Sequence, residues 1–242
     1  MLNNFYVKEM SAATFGAGFD DLPGSKSQID KISDLLKQYG WKVSKHLGAG
    51  ASEENVKKIN SPSVLHIATH GFFLPEEKLP IKIDVEQDNK TEPYKNTLQN
   101  SLFRSGLALA GANNTIIDSL QHDVMQLGYK EDGILTAFEA GNLNLNNTEL
   151  VDLSACETGL GQVITGEGVY GLQRAFRMAG AKSLIMSLRP VNDEATQLLM
   201  SSFYRLWSSG MGKQEAFRAA QQELKKTFPA PYFWGGFVMT GE

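Results

Sequence analysis

The chain of 242 residues contains a single cysteine, Cys156. One thiol excludes an internal disulfide and a zinc site built from several cysteines. Composition alone favours an inert, buried thiol, because free cysteine is among the residues most often found in protein cores. Whether Cys156 does chemistry therefore depends on the residues around it.

Long apolar runs and strong charge of one sign are missing as well. No apolar run approaches the roughly 20 residues that cross a bilayer, and the first residues lack the pattern of a secretory signal. The net charge of −4 comes from well-mixed acidic and basic residues, which argues against nucleic acid or a membrane surface as a direct partner. We expect a cytoplasmic globular protein of one large domain or two small ones.

Alternating helix and strand patterns predict an α/β fold. Helical spacing predicts a helix from a cap at Ser25 or Ser27 to Tyr39, and helices over 51–59 with Ser52 as cap, 133–140, 169–178, 193–208 and 213–226. Strands are predicted over 41–44, 63–69, 149–155, 181–188 and 233–240. This alternation predicts a mostly parallel sheet with helices on both faces. Polar segments over 74–100 and 111–131 read as long loops.

Three predicted strands end in polar residues, at His70, Cys156 and Asp193. Ligands gather at the carboxyl ends of strands in parallel sheets. A thiolate and a nearby imidazole are the pair that attacks a peptide carbonyl, and the N–H groups of Gly71 and Cys156 could hold the oxyanion. The plain alternative for His70 is a residue that only hydrogen-bonds locally at a strand end.

Other chemistries fit less well. His66 lies four residues before His70, but the glutamate of a metalloprotease helix is absent between them. No metal is therefore expected, and His66 is interpreted as a core or support residue. Ser154 lacks the Gly-x-Ser-x-Gly context of a serine hydrolase. Asp193 either sits in the first turn of a helix, where the dipole favours it, or projects into a substrate pocket.

The run 166–171 matches the Gly-x-Gly-x-x-Gly pattern of dinucleotide sites. That pattern requires the glycines to follow a strand directly, and here a polar loop separates them from the strand that ends near Cys156. Nucleotide binding is the weaker alternative, a turn and helix start is favoured, and no cofactor is expected.

Several segments in order resemble the CHAT peptidase family, relatives of caspases and separase: 65–71 (LHIATHG), 153–159 (LSACETG), 166–169 (GEGV), 175–181 (AFRMAGA), 187–196 (SLRPVNDEAT) and 231–237 (PYFWGGF). The resemblance implies a single domain over 1–242 with the caspase-hemoglobinase fold, a mostly parallel central sheet with helices on both faces. It also implies Cys–His proteolysis, with His70 and Cys156 as the two residues.

Substrate-binding residues follow from the same resemblance. It implies that Ser154, two residues before the nucleophile, lines the S1 pocket, and that Asp193 reads a basic P1 residue. The family usually has tryptophan where Arg189 stands. This arginine could neutralise Asp193 or reshape S1, so the P1 charge stays open.

Relatives of this kind usually carry N-terminal helical repeats, often TPR, so the resemblance implies a catalytic domain excised from a longer chain. Many are held inactive until a partner or bound RNA reshapes loops near the site, and 74–100 and 111–131 are the candidate loops here. Some act in bacterial antiphage defence, for example by cleaving gasdermin-like proteins. The alternative function is a catalytically silent signalling or scaffold domain that keeps the fold.

Overall fold

The computed structural model describes residues 18–20, 22–73, 102, 105–114, 131–154, 167–189 and 191–242. Its helices are α1 (Pro23–Gln38), α2 (Glu53–Lys57), α3 (Ala137–Ala140), α4 (Glu167–Met178), α5 (Asp193–Ser208), α6 (Lys213–Thr227) and α7 (Pro231–Trp234). Its strands are β1 (Val64–Ile67), β2 (His70–Phe73), β3 (Ser105–Ala108), β4 (Ile134–Thr136), β5 (Leu150–Leu153), β6 (Ser183–Ser187) and β7 (Phe237–Gly241).

The main sheet has the strand order β1-β5-β6-β7. The first three strands run parallel, and β7 pairs antiparallel with β6. The prediction of an α/β fold with a mostly parallel sheet is therefore confirmed. The carboxyl ends of β1 and β5 lie side by side, which is where the sequence places its polar residues.

Both faces of this sheet are covered by helices. Val151, Leu153 and Leu184 belong to one buried cluster, which includes Phe176 of α4. The alternate positions of the same strands, Leu150 and Ile185, belong to a second cluster formed with α1, α5 and α6. Strands covered on both sides read as continuous apolar runs, which is why these strands were predicted correctly.

A small antiparallel sheet, β2-β3-β4, stands beside the main one and begins at His70. The predicted helix over 133–140 is wrong in its first half, because residues Ile134–Thr136 form β4 and pair with Gly106–Ala108 of β3. Thr136 then caps the short helix α3 in a reciprocal arrangement with Glu139. Burial of the whole strand against the core overrides the local helical pattern.

The predicted strand over 41–44 is also wrong, because no strand forms within the described segment 41–47. A groove of about 600 Å³ is lined both by this segment, including Trp41 and Val43, and by β1, including Val64 and Leu65. Backbones must approach to about 5 Å to form a ladder. The alternating side chains of Trp41 and Val43 instead pack on the core beneath α1 and α5.

The helix starts differ in part from prediction. Helix α1 begins at Pro23 without a side-chain cap, so neither Ser25 nor Ser27 caps it. Proline suits a first turn because it has no backbone N–H to satisfy. Ser52 does cap α2, since its hydroxyl accepts from the Asn55 N–H at 3.4 Å.

Lys57 holds a cluster of carboxylates that ties α2 to the start of β4 and to α3. Its Nζ lies 2.6 Å from Glu53, 2.7 Å from Glu131 and 3.0 Å from Glu139. Glu53 is only 2% exposed and also accepts from the Gly133 N–H at 2.9 Å. Burial raises the pKa of Glu53 to about 8. Because the folded state keeps a proton that the unfolded chain has lost, this group makes stability fall as pH rises from about 4.5 to 8.

Lys57→Met should therefore destabilise the fold more at pH 8 than at pH 5. At pH 8 the variant either leaves the buried Glu53 carboxylate ionised without its cation or keeps it protonated while the unfolded chain is ionised, at a cost of about 3 kcal/mol. At pH 5 the buried Glu53 carboxyl is protonated and needs the cation less. Urea unfolding at both pH values measures the difference, with Lys58→Met, an exposed neighbour paired to Glu54, as control. Equal losses at the two pH values would contradict this account.

Candidate active site

His70 opens strand β2 and is held in one orientation. Its ring is buried, with 7% of the residue exposed, and it stacks on Phe19 with ring centroids 5.5 Å apart. Its Nε2 lies 2.7 Å from the backbone oxygen of Asp20. A carbonyl only accepts, so Nε2 carries the proton and Nδ1 of the neutral ring is left as the basic nitrogen.

The register of β1 and β5 aligns the two segments that carry the predicted dyad. His66 pairs with Asp152, and Ile67 pairs with Leu153, in parallel. His70 lies four residues after His66, and Cys156 lies four residues after Asp152. Cys156 itself lies outside the described residues. The two chain segments therefore continue past β1 and β5 at the same edge of the sheet, and each reaches its predicted dyad residue four positions after the His66–Asp152 pair.

A buried polar network lies just below this edge. The Asp152 carboxylate is fully buried and lies 2.7 Å from His66 Nδ1. It also accepts from the Tyr204 hydroxyl at 3.0 Å and from the Ser154 hydroxyl at 3.4 Å. Gln28 completes the network, with its Nε2 2.9 Å from Ser154 Oγ and 3.5 Å from His66 Nε2. His66 thus lies within a buried hydrogen-bond network at the end of β1.

The electrostatics keep Tyr204 a hydrogen-bond donor. Burial and, next, the Asp152 carboxylate raise the pKa of the Tyr204 hydroxyl well above its ordinary value. The phenol therefore stays protonated and stabilises the carboxylate. The network links α1, β1, β5 and α5, the four elements that meet at the edge.

Sequence reasoning missed most of these supporting residues. Asp152 carried a usable signal, because a charged residue inside the buried strand Leu150–Leu153 must find partners. The equal spacing of four residues in the two segments was a second signal. Gln28 and Tyr204 offered no such signal in the sequence, because both occupy ordinary positions on the buried faces of helices. The Asp20 contact is made by backbone, which the residue type does not encode.

Gly71 and Ser154 occupy the same edge as His70. Gly71 is buried in β2 opposite Leu107 of β3. Ser154 directly follows β5 and is half-buried, with its hydroxyl in the network described above. His70 and Gly71 thus follow the end of β1 by three and four residues, and Ser154 directly follows the end of the neighbouring strand β5.

Asp193 is the first residue of α5 and directly follows the N-cap residue Asn192 in the sequence. Its carboxylate sits against Gly24 in the first turn of α1, so close that a Cβ at Gly24 would lie 2.4 Å from Asp193 Oδ2. Only glycine allows this approach without displacing the carboxylate. Asp193 is exposed, so it has both a helix-terminal position and access to solvent.

Arg189 is directed toward α7. Its guanidinium donates to the backbone oxygens of Pro231 and Tyr232 and lies over the Tyr232 ring, 4.2 Å from the centroid. Arg189 and Asp193 form no ion pair, although the structure describes both residues. Arg189 therefore anchors the chain at 231–234.

Residues 167–171 of the glycine-rich run belong to a helix. Gly168 and Gly171 lie inside α4, which begins at Glu167, and residue 166 is outside the described part. Gly171 lies past the first turn of α4, where backbone N–H groups are bonded within the helix and do not face a phosphate. In the described part of the chain, no group of three or more His, Cys, Asp and Glu side chains could hold a metal ion.

The fold agrees with a comparison of the sequence with protein families. The family model described as the CHAT domain matches residues 7–242. The chain belongs to the CHAT domain family. This family has a caspase-like fold, and the resemblance inferred from the sequence motifs is confirmed.

Two curated relatives match part of this CHAT domain. Tetratricopeptide repeat protein 28 of Mus musculus is 32% identical over 110 residues, which is 45% of this chain and 4% of that protein. The Homo sapiens protein of the same name is 33% identical over 110 residues, with the same coverage. The matched stretch is thus a small part of each relative. Across the described ranges, no helix combines the length and the apolarity that a membrane span needs.

Proposed function

We propose that this CHAT domain is a cysteine endopeptidase, with Cys156 as nucleophile and His70 as its acid–base partner. The register of β1 and β5 is the observation that carries the proposal, because it directs both segments to one edge of the sheet. The orientation of the His70 ring also supports the proposal. The contact between Nε2 and the Asp20 oxygen leaves Nδ1 to exchange a proton with a thiol.

The reaction then follows the steps of a thiol peptidase. His70 takes the thiol proton, and the thiolate attacks the scissile carbonyl carbon to form a C–S bond. The N–H groups of Gly71 and Cys156 stabilise the oxyanion. His70 returns the proton to the leaving amine as the C–N bond breaks, and water hydrolyses the resulting thioester.

Ser154 and Asp193 are the proposed walls of the S1 pocket. Ser154 directly follows β5 and precedes the nucleophile segment, and Asp193 lies at the N-terminus of α5 against the first turn of α1. Because Arg189 is bound to the chain at 231–234, the Asp193 carboxylate is left free to pair with a basic P1 side chain. Arg189 is proposed to shape this region through its contact with Tyr232.

We further propose that residues 1–242 act as one peptidase domain under the control of a partner or a helical-repeat region. The name of the two relatives supports a link between such domains and tetratricopeptide repeats. Controlled cleavage of a protein target is also what a role in bacterial antiphage defence would require. The activating partner and the protein substrate would act on the domain in the cytoplasm.

Cys156→Ala tests this function. The variant should lose cleavage of a peptide library entirely while its circular dichroism and melting temperature stay unchanged, because the change removes one sulfur atom and its nucleophilicity. The library also gives the P1 preference, which Asp193→Ala should shift away from basic residues. Cleavage by Cys156→Ala at the wild-type rate would overturn the mechanism. Absence of cleavage by the wild-type domain together with its activating partner would favour the silent scaffold.

A further inference from the structure

A buried glutamine joins helix α1 to the carboxyl end of β5. Gln28 is 5% exposed, and its Nε2 contacts both Ser154 and His66. An amide is costly to bury unless its polar atoms are hydrogen-bonded. A leucine of similar size would fill the space without that cost. The contribution of Gln28 therefore lies in the bonds that it makes.

Counting donors and acceptors fixes the direction of each bond in this network. The Asp152 carboxylate only accepts, so His66 Nδ1 carries a proton and Nε2 of the neutral ring accepts. The two N–H groups of the Gln28 amide then serve Ser154 Oγ and His66 Nε2. The single Ser154 proton is directed to Asp152 Oδ1. The His66 Nδ1 proton also lies near the Tyr204 oxygen, 3.2 Å from Nδ1, so the carboxylate and the phenol oxygen share it. The Ser154 hydroxyl is held from two sides.

We propose that Gln28 is a positioning residue for the nucleophile segment, and that it acts through Ser154. Ser154 is the last described residue before Cys156, and two peptide units span at most about 7 Å. Holding the Ser154 side chain therefore restricts the positions open to the thiol and fixes the proposed S1 wall. The inference rests on the proposed function, because it assigns Gln28 to the site that Cys156 would use.

The single cysteine gives a direct readout of this role. Alkylation by iodoacetamide in the full chain reports Cys156 alone, whether or not a substrate is known. Gln28→Leu should lower the alkylation rate at pH 7 about fivefold, the factor that corresponds to one net hydrogen bond. Ser33→Ala is the matched control, because Ser33 is equally buried on α1 at 5% exposure and should leave the rate unchanged.

A double-mutant cycle tests whether Gln28 acts through Ser154. Ser154→Ala should lower the rate by a similar factor, and Gln28→Leu should add little in the Ser154→Ala background, because the bond is already gone. Full additivity of the two changes, or an unchanged rate in folded Gln28→Leu, would overturn the proposal. If Gln28→Leu does not fold, Gln28→Asn, whose shorter amide falls short of Ser154, is expected to show the same loss. Altered alkylation without any peptide cleavage in the wild type would overturn the proposed function and leave the positioning role standing.

Discussion

His70→Gln is expected to lower kcat/KM for peptide cleavage about 10³-fold, the range lost when a general acid–base is removed. The glutamine keeps a polar side chain beside the Asp20 oxygen but has no group that exchanges a proton near neutral pH. The ring contact with Phe19 is also lost, so the melting temperature should fall slightly. The expected loss of kcat/KM is far larger than a slight fall in melting temperature accounts for.

His46→Gln is the control for this variant, because His46 is exposed and lies outside the site. Its kcat/KM should equal that of the wild type. If His70→Gln kept more than a tenth of wild-type activity while folded, His70 would not be the acid–base partner. The alternative of a locally hydrogen-bonded strand-end histidine would then stand.

Asp152→Ala is expected to cost about 4 kcal/mol of unfolding free energy. The change leaves the Tyr204 hydroxyl and His66 Nδ1 buried without their acceptor, and each unsatisfied donor costs about 1–3 kcal/mol. The deleted carboxylate also leaves a small cavity between β5 and α5. Chemical denaturation followed by circular dichroism measures the loss.

Asp30→Ala is the matched control, because Asp30 is paired to Lys45 on the surface, where ion pairs contribute little. Its midpoint of denaturation should stay close to the wild type. A loss for Asp152→Ala no larger than that of the control would show that the network does not hold the edge of the sheet.

The main sheet was predictable because its strands are covered on both faces. Segments such as Leu184–Ser187 are apolar at nearly every position, and the long amphipathic helices α5 and α6 were found at nearly their observed bounds. The predictions failed where tertiary contacts decide the structure. Residues 41–44 alternate like a strand but form none, and they line a groove together with β1. Ile134–Thr136 has a helical pattern but pairs with β3.

The candidate site was predictable only in its chemically distinctive residues. His70, Gly71, Ser154 and Asp193 stand at element ends that periodicity locates, and their predicted roles come from residue chemistry together with the family resemblance. The partners that orient them come from distant parts of the chain, such as Asp20, which is 50 residues before His70. Such contacts depend on how α1 packs over the sheet, and no local pattern encodes that packing.

The central claim is that the folded domain activates Cys156 through His70. The most direct measurement is the rate of iodoacetamide alkylation of Cys156 at pH 6, in the native chain and in the chain unfolded by urea. An imidazolium beside the thiol lowers its pKa below the ordinary value near 8.5, so the native wild type should react faster than the unfolded chain, and His70→Gln should lose that advantage. A native rate no higher than the unfolded rate, or one unaffected by His70→Gln, would contradict the account.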